Sequence, residues 1–238
     1  MLDIKDFSKT YSGADYYSAY KINLHIDDGE VCGLVGSNGA GKSTIIKSVT
    51  GILPFEEGTV TVNGFDMKAD PVKAKRTIGY VPDDHTVYDK LTGREYVNYI
   101  GSLYRVAKAD KKAVIEGYAK LFNIEHALDN QIGSYSHGMK QKICIMGSIV
   151  HSPRLWILDE PMVGLDPQTM NELMMLIREY ANQGNSVMFS SHNLDVVAKV
   201  CDKVAFIVKG KLVSLVDLRT VNPQTFNLDE YFMKLNVR

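Results

Sequence analysis

The run Gly36-Ser37-Asn38-Gly39-Ala40-Gly41-Lys42-Ser43-Thr44 fits G-x-x-x-x-G-K-[ST], a loop that cradles a polyphosphate. Such an anion needs many donors close to it, with no side chains in the way. Gly36, Gly39 and Gly41 let the backbone curl until successive N–H groups point inward. A helix opening near Lys42 adds the positive end of its dipole. Lys42 is the cation for the β- and γ-phosphates. Ser43 offers its hydroxyl to Mg²⁺, a hard ion that prefers oxygen. Residues Ser37, Asn38, Gly39, Ala40, Gly41, Lys42, Ser43 and Thr44 are therefore expected to bind ATP or a similar nucleoside triphosphate.

A second set of candidates lies far downstream. The apolar run Leu155-Trp156-Ile157-Leu158 ends in Asp159-Glu160. An Asp at the end of a buried strand can hold Mg²⁺. A carboxylate beside it, off the metal, can orient and deprotonate a water. Asp159 is thus expected on the metal, and Glu160 as general base. Asp83-Asp84-His85 follows another strand, at the carboxyl end where open parallel sheets bind ligands. Tyr11, after Ser8-Lys9-Thr10, is the candidate to stack an adenine, with Tyr16 and Tyr17 as rivals.

These groups need strands to carry them. Val31-Cys32-Gly33-Leu34-Val35 reads as a buried strand feeding the loop, and Ser43 to Val49 as a helix that Gly51 stops. Residues 1–35 read as short antiparallel strands, with Leu2 and Ile4, then Ile22, Leu24 and Ile26, alternating with polar residues. Thr59 to Val62 alternates likewise, and Asn63-Gly64 signals a turn. Thr77 to Val81 is a strand ended by Pro82. From about residue 92 the period changes to helical. Ile100, Leu103 and Tyr104 recur at i, i+3, i+4. Val114, Tyr118, Leu121 and Phe122 recur at i, i+4, i+7, i+8. Met139, Ile143, Met146 and Val150 form a third stripe after the turn Gly133-Ser134-Tyr135-Ser136. These stripes are expected to face the core. Strands then resume: Leu155 to Leu158, Ser186 to Phe189 leading to Ser190-Ser191-His192, and a hairpin of Val204 to Val208 with Leu212-Val213. A helix from Gln168 to Asn182 lies between them, with Gly184 past its end. Leu228 to Phe232 suits a terminal helix docked on the core.

The chain has 238 residues, 45% hydrophobic and 23% charged, with a net charge of −1. Those values suit a packed α/β protein rather than a disordered one. They offer no overall basic field for nucleic acid. Cys32, Cys144 and Cys201 are far apart, in apolar surroundings, and form no C-x-x-C pair, so they are expected as reduced core residues in a cytosolic setting. The first residues lack a signal-peptide profile. No apolar run approaches the roughly 18 residues that span a bilayer. A membrane role is therefore expected to come through a partner.

In order, these motifs resemble those of the nucleotide-binding subunit of ATP-binding cassette (ABC) transporters, over nearly the whole chain. Gly36 to Thr44 is similar to Walker A, and Tyr135-Ser136-His137-Gly138-Met139-Lys140-Gln141 to the family signature, usually L-S-G-G-Q. Leu155 to Glu160 is similar to Walker B, Gly164-Leu165-Asp166-Pro167 to the D-loop, and His192 to the switch histidine. The resemblance implies an α/β fold: a P-loop NTPase core with a mixed sheet flanked by helices, and an N-terminal antiparallel β-subdomain. Residues 1–90 and 153–238 would form that core, and 91–152 an inserted α-helical signature subdomain.

The resemblance further implies two cassettes, a second copy or a homologous subunit, packed head to tail around two ATP molecules. Ser136 and Gly138 would contact the γ-phosphate held by the other subunit, His192 the same phosphate, and Asp166 would communicate across the dimer. The cycle would drive a separate multi-span permease at the cytoplasmic face of the bacterial membrane. Asp83 stands where the family has the Q-loop glutamine; an acid there can take Mg²⁺ but cannot donate a hydrogen bond when ionised. His137 and Met139 replace a glycine and the glutamine of the signature. These departures resemble bacterial exporters of drugs and antimicrobial peptides. The alternatives are a soluble ABC ATPase acting on ribosomes or DNA, and a small-molecule P-loop kinase. The single cassette, the lack of a heptad run and the signature segment weigh against them.

Overall fold

The computed structural model describes residues 1–13, 15–84, 87–222 and 226–236. Two sheets organise it. The smaller contains β1 (Leu2–Lys9), β2 (Ala19–Ile26), β4 (Glu57–Val62) and β5 (Phe65–Asp66), in the order β2-β1-β4-β5. All its pairings are antiparallel, with Leu2 opposite Ile26 and Val62, and Ile4 opposite Leu24 and Val60. This row is buried while its neighbours Asp3 and Lys5 are not, as the period-2 alternation requires. Asn63 and Gly64 both have positive φ and make the tight β4–β5 turn.

The larger sheet contains β3 (Val31–Val35), β6 (Ile78–Val81), β7 (Leu155–Leu158), β8 (Ser186–Ser191), β9 (Lys203–Val208) and β10 (Lys211–Asp217), in the order β10-β9-β3-β8-β7-β6. Only the β9–β10 hairpin is antiparallel. The expectation that residues 1–35 pair antiparallel thus holds for β1 and β2 and fails for β3. That strand lies between β8 and β9, and all five of its residues are buried, as parallel strands covered on both faces must be. Its alternate residues serve two cores. Cys32 and Leu34, with Ile157 and Met188, meet α1 (Lys42–Val49) and the small sheet. Val31 and Val35, with Trp156, Leu158 and Phe189, meet the helices on the other face.

Those helices are α3 (Gly93–Leu103), α4 (Lys108–Leu121) and α5 (His137–Ile149), then α6 (Pro167–Asn182), α7 (Leu194–Val200) and α8 (Leu228–Asn236). A short α2 (Pro71–Arg76) precedes β6. Thr92 and Glu95 form a capping box at the start of α3. A Cβ on Gly101 would press on Lys111 and Val150, and one on Gly147 would meet the Tyr96 ring. Close approach at these glycines selects the buried stripe of α3 as Gly93, Tyr96, Val97 and Gly101. The expected core stripe is corrected here: Leu103 is 61% exposed, and Tyr104 lies outside, stacked on His151. Leu121 on α4 is also exposed, whereas Phe122, Ile143, Met146 and Val150 are buried as expected. The Trp156 indole donates to Ser148 Oγ at 2.9 Å and so ties β7 to α5. Phe226, Tyr231, Phe232 and Leu235 dock the C-terminal helix on the core. The three cysteines are buried and free. Among the described residues, no helix is long and apolar enough to cross a membrane.

Candidate active site

The phosphate-loop motif lies between β3 and α1, where its backbone is clamped from two sides. Ala40 O accepts the Gly210 N–H at 2.8 Å, and Gly210 O accepts the Tyr20 N–H at 2.7 Å. A Cβ on Gly41 would come within 2.3 Å of Ser18 O, and Gly41 has φ +107. Only glycine meets both demands. Gly41 then caps α1, with Ile45 N–H donating to its carbonyl. Lys42 is largely buried. Its Nζ donates to Gly36 O at 2.7 Å and Ser37 O at 3.3 Å, and lies 3.7 Å from Glu160 Oε1. A cavity of about 640 Å³ opens over the loop. Asn38 to Thr44 floor it, Tyr16 and Tyr17 wall one side, and Asp83, Glu160 and Lys209 complete it.

The acidic side comes from three adjacent strand ends. Val81 pairs with Leu158 and Leu158 with Phe189, so the residues that follow β6, β7 and β8 emerge together. Asp159 is 1% exposed. Its Oδ1 accepts from Ser190 Oγ at 2.5 Å, while Oδ2 is buried with no hydrogen-bond partner. Burial raises its carboxyl above the ordinary value. The Ser190 and Ser43 hydroxyls oppose that rise, and the charges of Asp83 and Glu160 add to it. A buried, half-satisfied carboxylate beside two more acids is a site short of positive charge.

Glu160 has φ +48, a left-handed conformation strained for a glutamate. Its N–H donates to Ser190 Oγ at 2.8 Å, and its Oε2 meets His192 Nδ1 at 3.0 Å. A carboxylate held between an imidazole and an ammonium at a polyphosphate cavity can orient a water for attack on phosphorus.

Sequence comparison agrees with this arrangement. A family model described as ABC transporter matches residues 20–163. The chain belongs to the ABC transporter family. It is 34% identical to the ABC transporter ATP-binding protein NatA of Bacillus subtilis (strain 168), over 81% of this chain and 78% of that protein. It is 31% identical to the linearmycin resistance ATP-binding protein LnrL of the same organism, over 90% and 68%. A solved ATP-binding subunit of an ABC transporter superposes with a TM-score of 0.92 at 28% identity, over 99% of both chains. This ABC subunit is an ATP hydrolase coupled to transport.

The remaining expected residues of the ABC subunit occupy defined places. Ser136 caps α5, with its Oγ accepting the Met139 N–H, and Gly138 is the second residue of that helix, within its first turn. The His137 ring packs against Gly164, whose φ of +80 and close neighbour leave no room for a Cβ. Asp166 caps α6, accepting the Thr169 N–H at 2.9 Å and the Thr169 hydroxyl at 2.7 Å; these bonds lower its carboxyl pKa. Neither Ser136, Gly138 nor Asp166 lines the P-loop cavity. Tyr11 is not among the cavity's lining residues either. Its hydroxyl lies 3.3 Å from Thr44 Oγ1, a residue of the cavity floor, and its rivals Tyr16 and Tyr17 line the cavity. His85 falls outside the described residues.

Several residues of the site carry no local signal. Ser190 is one serine among many, and only the β7–β8 register brings it to Asp159. Lys209-Gly210 reads as a hairpin turn and also supports the P-loop. Gln141, fully buried, donates to Pro161 O and ties the signature helix to the segment after Glu160.

Proposed function

We propose that two such subunits, identical or homologous, close around two ATP molecules and power a separate multi-span permease that exports a peptide, a drug or another amphiphile. The observation that carries this reading is the split in the site. The N-terminus of α5, with Ser136 and Gly138, has the form of an anion-binding helix start and takes no part in its own subunit's cavity. A γ-phosphate of a second cassette would supply its ligand. The name of the linearmycin resistance relative supports export of an amphiphile. The absence of a long apolar helix among the described residues fits peripheral attachment at the cytoplasmic face. Residues 91–152, as the helical subdomain on a core of 1–90 and 153–238, and the Asp83 loop would receive the permease.

In this reading Ser37 to Thr44 give backbone and hydroxyl donors to the phosphates, and Lys42 turns its ammonium from the loop carbonyls to the β- and γ-oxygens. Tyr16 and Tyr17, rather than Tyr11, offer faces for the base. Mg²⁺ fits the donors present: the Ser43 hydroxyl, the unpartnered Oδ2 of Asp159 and the nearby Asp83. The described residues hold no group of three or more His, Cys, Asp or Glu ligands, which suits an ion that takes few protein ligands. When bound, it would neutralise charge on the phosphates. Glu160 accepts the proton of the attacking water, and His192 holds the Glu160 carboxylate in line. Asp166, at the start of α6, would pass the state of one site to the other subunit.

Purification of the tagged chain from its host's membranes in mild detergent tests the partner. A hydrophobic multi-span protein is the expected companion. Recovery of ribosomal or DNA-bound proteins alone would overturn the exporter reading in favour of a soluble ABC ATPase. Sedimentation of Glu160→Gln with ATP and Mg²⁺ tests the pairing: the expected species is a dimer that ADP does not support, and a monomer under both conditions would sink it.

A further inference from the structure

Asp159 and Glu160 are neighbours with different tasks, and something must hold their carboxylates in different directions. One hydroxyl touches both residues. Ser190, fully buried on β8, donates from Oγ to Asp159 Oδ1 at 2.5 Å and accepts the Glu160 N–H at 2.8 Å. A hydroxyl has one proton to give and lone pairs that accept. Both bonds can therefore form together.

We infer that Ser190 is a positioning residue for hydrolysis, fixing Asp159 with one oxygen turned to the cation and pinning Glu160 in its left-handed turn. The inference rests on the assignment of Asp159 and Glu160 proposed above. With Oδ1 engaged by Ser190, Oδ2 is the oxygen left buried without a protein partner, as a ligand to a hard cation should be. Without Ser190 the Asp159 carboxylate keeps only the Ser43 hydroxyl near it, a group that is itself assigned to the cation, so its rotation about Cβ–Cγ is less fixed and either oxygen can turn away from the cation. Glu160 depends on the same atom. A non-glycine residue keeps φ +48 only where its surroundings hold it there, and the Ser190 hydroxyl takes its N–H in that turn. That places the Glu160 carboxylate between His192 and Lys42. The next residue does a separate job: Ser191 Oγ accepts the Asn193 N–H at the start of α7. The consecutive serines thus divide the work, one for the site and one for the loop that follows.

Ser190→Ala removes both bonds, Ser190→Cys keeps the volume but weakens them, and Ser190→Thr keeps the hydroxyl. The three are compared with wild type and Glu160→Gln by steady-state ATP hydrolysis, by Mn²⁺ affinity in the presence of ADP read by electron paramagnetic resonance, and by thermal melting. Ser190→Ala and Ser190→Cys should lower kcat about 10–100-fold with KM for ATP little changed, and weaken Mn²⁺ about tenfold, the scale of losing a residue that orients a metal ligand. ADP affinity in EDTA should stay at the wild-type value. Ser190→Thr should recover most of both losses. If the alanine variant fails to fold, the cysteine variant carries the same expectation. Wild-type kcat and Mn²⁺ affinity in a folded alanine or cysteine variant would overturn the inference. So would a threonine variant as impaired as alanine, because volume rather than the hydroxyl would then matter. Wild-type hydrolysis by Glu160→Gln would overturn the assignment of the base itself, and the inference with it. An inactive Glu160→Gln beside an unimpaired Ser190→Ala would sink the role of Ser190 alone.

Discussion

The two sides of the proposed ATP cavity are built differently. The phosphate side is backbone: a glycine-rich loop whose shape is set by local conformation, by the approach of Ser18 O to Gly41 and by the Ala40–Gly210 bond. Its chemistry fits in one short stretch of chain. The acidic side is made of side chains from the ends of β6, β7 and β8, and helices separate each of those strands from the next along the chain. An anion can be held by peptide N–H groups that every residue carries. A cation site and a general base need particular carboxylates, aimed by partners that only the folded sheet supplies. The phosphate side should therefore be sensitive to added volume, and the acidic side to lost function at constant volume.

The sharpest contrast comes from changing one atom on the acidic side. Glu160→Gln should cut turnover by about 10²–10⁴ while ATP binding persists, since only the proton acceptor is lost. Turnover near wild type would mean that the acidic side does not supply the base. On the phosphate side, Gly41→Ala adds one methyl. It meets Ser18 O at 2.3 Å and a φ of +107, so ATP affinity should fall at least tenfold and stability by about 2 kcal/mol. Titration with a fluorescent ATP analogue checks the first, and urea unfolding the second; tolerance of the methyl would show a looser clamp than the structure has. Next in size are the tyrosines. Loss of the ring at Tyr16 or Tyr17 should weaken ATP by about 5–100-fold, on the scale of ~1–3 kcal/mol for base stacking, with little effect at Tyr11. A larger loss at Tyr11 would return the base to the position first expected.

Smaller effects test how the acidic side is paid for in stability. Ionised Asp159 is buried with one oxygen unsatisfied, and its pKa is raised by that burial. Asp159→Asn should therefore raise the Tm of nucleotide-free protein at neutral pH by a few degrees while abolishing hydrolysis. A lower Tm would show that the carboxylate is better satisfied than its contacts indicate. The smallest effect concerns β6, the strand that leads to Asp83. His151 Nε2 donates to Ile78 O at 3.0 Å, and burial lowers the His151 pKa from 6.5 to about 4. The unfolded chain takes up this proton first, so His151 adds to a loss of stability as pH falls from 6.5 toward 4. His151→Gln should flatten that part of a Tm-against-pH profile, and an unchanged slope would remove His151 as its source.

Legibility in the sequence follows the same division. The P-loop, the strand before Asp159 and the order of the motifs could be read because each is a local pattern of glycines, apolar runs and acids. The β1–β2 pairing, the β4–β5 turn and α6 followed from period and turn residues. β3 was misread as antiparallel, because strand direction within a sheet is set by partners such as Val187 and Val204, far along the chain. The exposed side of α3 was misread for a similar reason: Gly101 and Gly147 decide which face can approach α5, and a count of apolar residues gives them no weight. Tyr11, Tyr16 and Tyr17 share one loop and one chemistry, so sequence could rank them but not place them. The strain at Glu160 and the reach of Ser190 exist only in the folded sheet.

The position of β3 bears on how the protein comes to be made. This strand carries the P-loop, yet its neighbours are β8 and β9, and Val31 is fastened to Asp202 across 171 residues of chain. Buried Glu30 waits as long for Lys203 and Arg219. Contacts of such sequence separation close late and slowly. During synthesis the P-loop thus leaves the ribosome well ahead of β8 and β9, the strands that complete its setting. Until the β9–β10 hairpin emerges, β3 exposes an unpaired apolar edge, a target for chaperones or for aggregation. A ribosome stalled before Lys203 would carry the whole P-loop motif and still display β3 without one of its two neighbouring strands.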